Sequence, residues 1–157
     1  MNSFFQPLLQ HMAWSDERIG SELLASEGKP EAALKWFAHI TAAERLWLAR
    51  IEGEATEGMA IWPELNAEQC VELAKSNEAR YAELLAQLSS EEDFGRLVVY
   101  RNSTGAEFRT SVGDILTHVC IHGAYHRGQI NSALRGDGLE PVNVDYITYV
   151  RENHRSR

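Results

Sequence analysis

The strongest structural signal in the chain is residues 111–134, which read SVGDILTHVCIHGAYHRGQINSAL. Ser111, followed three residues later by Asp114, is typical of a helix N-terminus. The apolar residues recur every three or four positions, the spacing of one face of an α-helix. They are Val112, Ile115, Leu116, Val119, Ile130, Ala133 and Leu134. This pattern predicts a long helix with one buried face, extending to about Leu134.

Three more long helices are predicted upstream. Ser3 can cap a first helix of about twenty residues, and a second runs from Glu31 to Glu52, before Gly53. A third follows Asn66, which forms a capping-box pattern with Gln69. Each helix has one apolar face to bury. The simplest arrangement is an all-α four-helix bundle.

Shorter elements complete the prediction. Residues 97–100 and 106–109 flank the turn Asn102-Ser103-Thr104-Gly105, which predicts a short β-hairpin between helices 3 and 4. Residues 146–151 predict a short C-terminal helix. In the loop of residues 54–65, we expect Met59, Ile61 and Trp62 to pack inward. The 157 residues fit a single domain, 1–157.

The composition argues against several classes of binding partner and indicates a cellular compartment. The net charge is −8, and the only short basic run is residues 154–157, so we expect neither nucleic acid nor a membrane as a partner. No apolar run approaches the roughly 20 residues needed to cross a bilayer. Cys70 and Cys120 form no CxxC motif and are expected to be free thiols. With no signal-peptide pattern at the start, these features predict a reducing, cytoplasmic compartment.

Three histidines share the predicted fourth helix at four-residue steps: His118, His122 and His126. Imidazoles four residues apart on a helix lie one turn apart and can share a metal ion. At 100° per residue, His126 lies roughly 30° from the centre of the apolar face, His122 about 70° and His118 about 110°. Packing therefore favours His122 and His126 as inward-facing ligands.

A histidine–carboxylate network is the competing explanation, because two other polar residues interrupt apolar faces. Asp16 lies in phase with the apolar residues of the first helix, and Glu44 lies within those of the second. Buried carboxylates are rarely left unpaired. Each could orient a ligating imidazole through its second ring nitrogen. Each could instead pair with an arginine, for which Arg18, Arg45 and Arg127 are the candidates.

The residues 122–130, HGAYHRGQI, resemble the HxxxHRGQI signature of the DinB/YfiT-like superfamily. Three other segments are similar to that family: Trp14 to Arg18, residues 39–48 followed by Gly53, and residues 145–147 after Pro141. The resemblance covers nearly the whole chain. It implies a four-helix bundle, commonly dimeric, with three histidines that bind Ni²⁺ or Zn²⁺.

Carried onto this sequence, the resemblance gives His39, His122 and His126 as the metal ligands. His39 rests on the resemblance alone, because it lies roughly 110° from the apolar face of the second helix. A homodimer is expected on the same grounds, and because Trp36 and Trp47 widen the apolar arc of that helix. Arg127 could steer an anionic substrate or form a surface salt bridge.

Three functional hypotheses follow. Three imidazoles leave a coordination position open for water or a thiolate. Because relatives include thiol-dependent S-transferases and a thiol-dependent maleylpyruvate isomerase, the first is a metal-dependent enzyme acting on a small molecule through a low-molecular-weight thiol. The second is a non-enzymatic, dimeric, stress-related protein whose divalent metal is structural. The third has no metal, with the histidines in a hydrogen-bonded network.

Overall fold

The computed structural model describes residues 2–102 and 104–153 of the chain. Its four long helices are α1 (Asn2–Ala25), α2 (Glu31–Glu52), α3 (Ala67–Gln87) and α5 (Val112–Gly136). The shorter elements are α4 (Glu91–Gly95), β1 (Leu97–Arg101), β2 (Glu107–Ser111) and α6 (Tyr146–Asn153). Ser103 of the predicted turn and the basic residues 154–157 lie outside the described residues.

The four long helices form the predicted bundle. Helix α2 packs against α5 and α3, and α1 packs against α3 and α5, so each long helix has two long neighbours. This ring of contacts confirms the four-helix bundle, and the β-hairpin and the C-terminal helix are also present. Helix α1 begins at Asn2, so the prediction that Ser3 caps it is wrong. Helix α4 was not predicted.

Local signals in the sequence set the ends of the other helices. Asn66 and Gln69 form the predicted reciprocal capping box at the start of α3. The Ser111 side chain accepts a hydrogen bond from the Asp114 backbone N–H at the start of α5. Gly53 ends α2 in the left-handed conformation, with φ of 73°, where a side chain would be strained.

The hairpin leads directly into α5. Strands β1 and β2 pair antiparallel, with Leu97 opposite Ser111 and Arg101 opposite Glu107. Ser111 is thus both the last residue of β2 and the N-cap of α5. This junction fixes the start of the helix that carries the predicted histidines.

A polar layer crosses the middle of the bundle and separates two apolar clusters. One cluster includes Phe5, Leu48 and Val112, and the other includes Ile19, Phe37 and Ile130. Each long helix contributes one residue to the layer: Asp16, Glu44, Asn77 and Arg127. A layer of this kind disfavours sliding of one helix past another, because any shift would leave a buried polar group without its partner.

Within residues 2–102 and 104–153, none of the helices combines the length and the hydrophobicity of a membrane span.

Candidate metal centre

His39 from α2 and His122 and His126 from α5 meet at one point where these two helices pack. A nitrogen of each ring lies within 4.8 Å of a nitrogen of the other two. His122 Nε2 is 3.3 Å from His39 Nε2 and 3.1 Å from His126 Nε2. Two nitrogens bound to one zinc ion in tetrahedral geometry are about 3.3 Å apart. The structure thus brings the three predicted ligands together at a spacing that fits one small cation.

The second ring nitrogens show which atoms face the centre. His39 Nδ1–H donates to the Ile61 carbonyl at 2.9 Å, and His126 Nδ1–H donates to Gln129 Oε1. Both assignments follow from the contacting atoms, because the Ile61 carbonyl oxygen and Gln129 Oε1 accept hydrogen bonds and cannot donate them. The Nε2 atoms of His39 and His126 therefore carry lone pairs, and both approach His122 Nε2. A single proton on His122 could satisfy only one of them, whereas a divalent cation satisfies all three rings.

Burial favours the neutral state of His39 and His122, which is the state that metal binding requires. Burial, together with the smaller effects of the neighbouring His126 and His39, lowers the pKa of His122 to about 4. Burial likewise lowers the pKa of His39, despite the opposing hydrogen bond to Ile61. Lone pairs on both rings are thus available near neutral pH.

Two tryptophans enclose one side of the centre. Trp62 stacks on the His39 ring with 3.8 Å between centroids, and Trp36 stacks on His126 at 4.7 Å. The two indoles also contact each other edge to face. The expectation that Ile61 and Trp62 pack into the interior is wrong, since they keep 37% and 47% of their surface exposed. They lie instead over His39 as a cover.

Comparison with known proteins agrees with this arrangement. The DinB family model matches residues 17–156. The chain belongs to the DinB family. Protein DinB of Bacillus subtilis (strain 168) is 25% identical over 169 aligned positions, which cover 96% of this chain and 95% of that protein. The matched region of this DinB-family protein contains all three converging histidines.

His118 lies at the edge of the centre, as the helical periodicity predicts. His126 is buried, His122 is partly exposed and His118 is exposed, in the predicted order. The His118 ring packs against the rings of His122 and Trp47, each at 5.2 Å between centroids. Its nitrogens are not part of the three-histidine cluster.

Arg127 neither steers substrate nor pairs at the surface, because it is 1% exposed and lies in the polar layer. It donates two hydrogen bonds to Asp16 Oδ1, at 2.7 and 3.1 Å. Its distance to Glu44 Oε1 is longer, 3.6 Å. Burial and the Asp16 carboxylate raise the pKa of Glu44 well above its usual value, against the opposing effect of Arg127. Asp16 is therefore the hydrogen-bonded partner of Arg127, and burial favours the protonated form of Glu44.

Gly123 makes room for the Arg127 side chain one turn along the helix. A Cβ added at position 123 would lie 3.0 Å from Arg127 Nη1 and 3.2 Å from Cζ. Arg127 cannot yield, because Asp16 holds its guanidinium inside the bundle. The glycine next to His122 is thus explained by packing around the buried ion pair.

We expect Gly123→Ala to lower the free energy of unfolding by about 1–3 kcal/mol through overpacking. Gly128→Ala is the matched control, because a Cβ at that helical position meets no atom within 4 Å of the described residues. It should stabilise the protein by roughly 0.5–1 kcal/mol through helix propensity. Urea unfolding of both variants measures the difference, and equal effects would contradict the assigned role of Gly123.

Gln129 and Ile61 are site residues that the sequence reasoning missed. Gln129 lies three residues after His126 on the same helix, a spacing that places the two side chains together. That spacing was the available signal for Gln129. No feature of the sequence indicates Ile61, because its backbone carbonyl, and not its side chain, forms the hydrogen bond with His39.

We expect Gln129→Met to weaken metal binding by about 10- to 100-fold, because it removes the acceptor that orients the His126 ring. Gln129→Glu keeps an acceptor and should bind at least as tightly as the wild type. Competition titration against a chromophoric chelator measures both. If Gln129→Met bound metal like the wild type, the proposed orientation of His126 would be wrong.

Proposed function

We propose that this DinB-family protein binds one divalent ion, Ni²⁺ or Zn²⁺, through the Nε2 atoms of His39, His122 and His126. The observation that supports the proposal most strongly is the approach of two lone-pair nitrogens to His122 Nε2, at 3.3 and 3.1 Å. Without a cation, at least one of these contacts is repulsive. A histidine–carboxylate network is not supported, because Asp16 and Glu44 belong to the polar layer.

We further propose that the protein is a metal-dependent enzyme that uses a low-molecular-weight thiol to transfer a group or isomerise a small molecule. A divalent ion held by three neutral imidazoles supplies Lewis acidity and keeps a bound thiol deprotonated. The histidines fix the site, and the indoles of Trp36 and Trp62 exclude water from one side of it.

The thiol would have to come from outside the protein. Burial raises the pKa of Cys70 to about 11 and that of Cys120 to about 12, and neither belongs to the histidine cluster. Neither cysteine is therefore suited to serve as a thiolate nucleophile near neutral pH.

The test uses protein loaded with Co²⁺ and titrated with mercaptoethanol. The proposal predicts a saturable thiolate-to-cobalt charge-transfer band, absent in His126→Ala. It also predicts that the metal-loaded protein accelerates displacement of bromide from monobromobimane by mercaptoethanol at mildly acidic pH, where free thiol is protonated. Saturable thiolate binding without acceleration would contradict the enzymatic proposal.

A structural metal in a non-enzymatic protein is the second candidate. The positions of the ligands favour this candidate. Because His39 lies on α2 and the other two histidines lie on α5, a bound metal would cross-link two neighbouring helices. Here bound metal would raise the melting temperature strongly, and mercaptoethanol would leave the cobalt spectrum unchanged.

A homodimer remains a prediction. Trp36 and Trp47 are engaged within the chain, by His126 and by His118 respectively, so they no longer argue for a second copy. Exposed apolar residues remain on α5, namely Ile121 and Tyr125. Static light scattering at micromolar concentration should give twice the chain mass, and a monomer would contradict the prediction.

A further inference from the structure

The outward face of α5 carries no charged side chain between its two ends. Asp114 and Arg135 are exposed, and the one charged residue between them, Arg127, is buried in the polar layer. Across the whole chain, 24% of the residues are charged. Because a helix that faces solvent normally carries charged and polar residues on its outer side, this uncharged stretch indicates a surface that another molecule covers.

The exposed residues of this face follow the spacing of a coiled-coil seam. They recur at alternating steps of four and three residues, namely Asp114, His118, Ile121, Tyr125, Gly128 and Ser132. Arg135 continues the series, which we call the α5 seam. Ile121 and Tyr125, near its centre, are 64% and 67% exposed. Such spacing keeps one edge of a helix against a second helix over its whole length.

The α5 seam is complementary to itself when it is paired antiparallel. Asp114 of one copy then lies opposite Arg135 of the second copy, and the reverse pair forms at the other end. Ile121 lies opposite Gly128 of the second copy, so a large side chain meets a position with open space around it. Tyr125 lies opposite its own counterpart. Charge and side-chain size thus both match in this orientation.

The charges at the two ends of the α5 seam have no counter-ion within the described part of the chain. Among residues 2–102 and 104–153, no ion pair includes Asp114 or Arg135. Asp114 Oδ2 accepts a hydrogen bond from the Ser111 hydroxyl at 2.6 Å, which leaves its charge uncompensated. A second copy would supply a counter-ion at both ends, and this complementarity favours the antiparallel orientation.

We propose that a second copy of the chain covers the α5 seam, with the two helices antiparallel about a two-fold axis at Tyr125. The same surface of both copies then meets itself, as in an isologous dimer. The pairing would bury Tyr125, whose ring contacts the His126 ring edge to face at 5.0 Å. The interface would therefore adjoin the histidine centre. This inference rests on the homodimer proposed above, to which it assigns a surface.

Ile121→Glu should convert the full-length dimer into a monomer at micromolar concentration, because the interface would bury an unpaired carboxylate from each copy. Ile121 is exposed within the chain, so circular dichroism should show unchanged helix content. Leu24→Glu is the control and should remain dimeric. Leu24 is also an exposed apolar residue, but it lies on α1 and lines a groove with Ala74 and Lys75 of α3. Light scattering measures both, and a dimeric Ile121→Glu variant would overturn the inference.

Charge reversal tests the orientation of the two helices. Asp114→Lys and Arg135→Glu should each raise the dimer dissociation constant about tenfold or more, because each creates two pairs of like charges. The double variant restores opposite charges and should return to within about threefold of wild type. Both changes oppose the helix dipole, so effects within one chain would add in the double variant. Dissociation constants from sedimentation velocity decide, and additive weakening would contradict the antiparallel pairing.

A cross-linking measurement locates the interface without disrupting it. Ala124→Cys, next to the axis and exposed, should be joined to its counterpart by a short bifunctional maleimide, whereas Ser21→Cys on the exposed surface of α1 should not. Equal yields would overturn the inference.

The outcomes separate this inference from the proposals on which it rests. A monomeric wild type overturns the homodimer and the α5 seam together. A wild-type dimer that Ile121→Glu leaves intact overturns the seam alone. Metal binding by the same variants is measured independently, by chelator titration.

Discussion

His126→Ala is expected to lose tight binding of Zn²⁺ or Ni²⁺, with the dissociation constant raised more than about 100-fold. Loss of an outer-shell partner alone costs 10- to 100-fold, and this change removes a ligand itself. The His126 ring is also held in place, by a hydrogen bond from Nδ1 to Gln129 and by stacking on the Trp36 ring. Competition titration with a chromophoric chelator, on protein purified without a histidine tag, measures the loss.

The control for this experiment is His118→Ala, which should keep tight binding, because His118 packs against the His122 ring without joining the cluster. His39→Ala should lose tight binding as His126→Ala does. If His118→Ala lost the metal and His39→Ala retained it, the ligand assignment would be wrong.

Arg127→Met is expected to lower the free energy of unfolding by about 3–5 kcal/mol, the usual cost of breaking a buried ion pair. Asp16 would remain as a buried carboxylate beside a second carboxyl group, that of Glu44. Urea unfolding in the presence of a chelator separates this effect from metal binding. Should Arg127→Met not fold, Asp16→Asn provides a milder disruption of the same pair.

Arg18→Met is the matched control for that measurement. Arg18 pairs with Glu152 at 3.3 Å, but both side chains are substantially exposed, so its loss should cost less than about 1 kcal/mol. Similar effects of the two substitutions would contradict the central role of the polar layer.

Most of the fold could be predicted from the sequence, because apolar periodicity marks each long helix and capping residues mark an end of α2, α3 and α5. Helix α4 could not. It has five residues, too few for a periodic pattern, and its only signal is the capping box between Ser90 and Asp93. Ser3 offered a cap pattern, but the helix already includes it.

The candidate site was only partly predictable. His122 and His126 follow from their spacing on one helix. His39 does not, because its ring contacts α5 histidines and also Ile61 and Trp62, which belong to a segment without periodicity. The sequence likewise did not show which of three arginines pairs with Asp16, because the pairing depends on how the helices align in space. Helical periodicity does not predict contacts between segments that are far apart in the sequence.

The most direct test of the three-histidine centre is an anomalous-difference map from crystals of the protein grown with Zn²⁺ or Ni²⁺. The account predicts one strong peak about 2.0–2.1 Å from the Nε2 atoms of His39, His122 and His126, with a non-protein ligand completing the coordination. No peak among these rings, or a peak bound by His118 in place of His39, would contradict it.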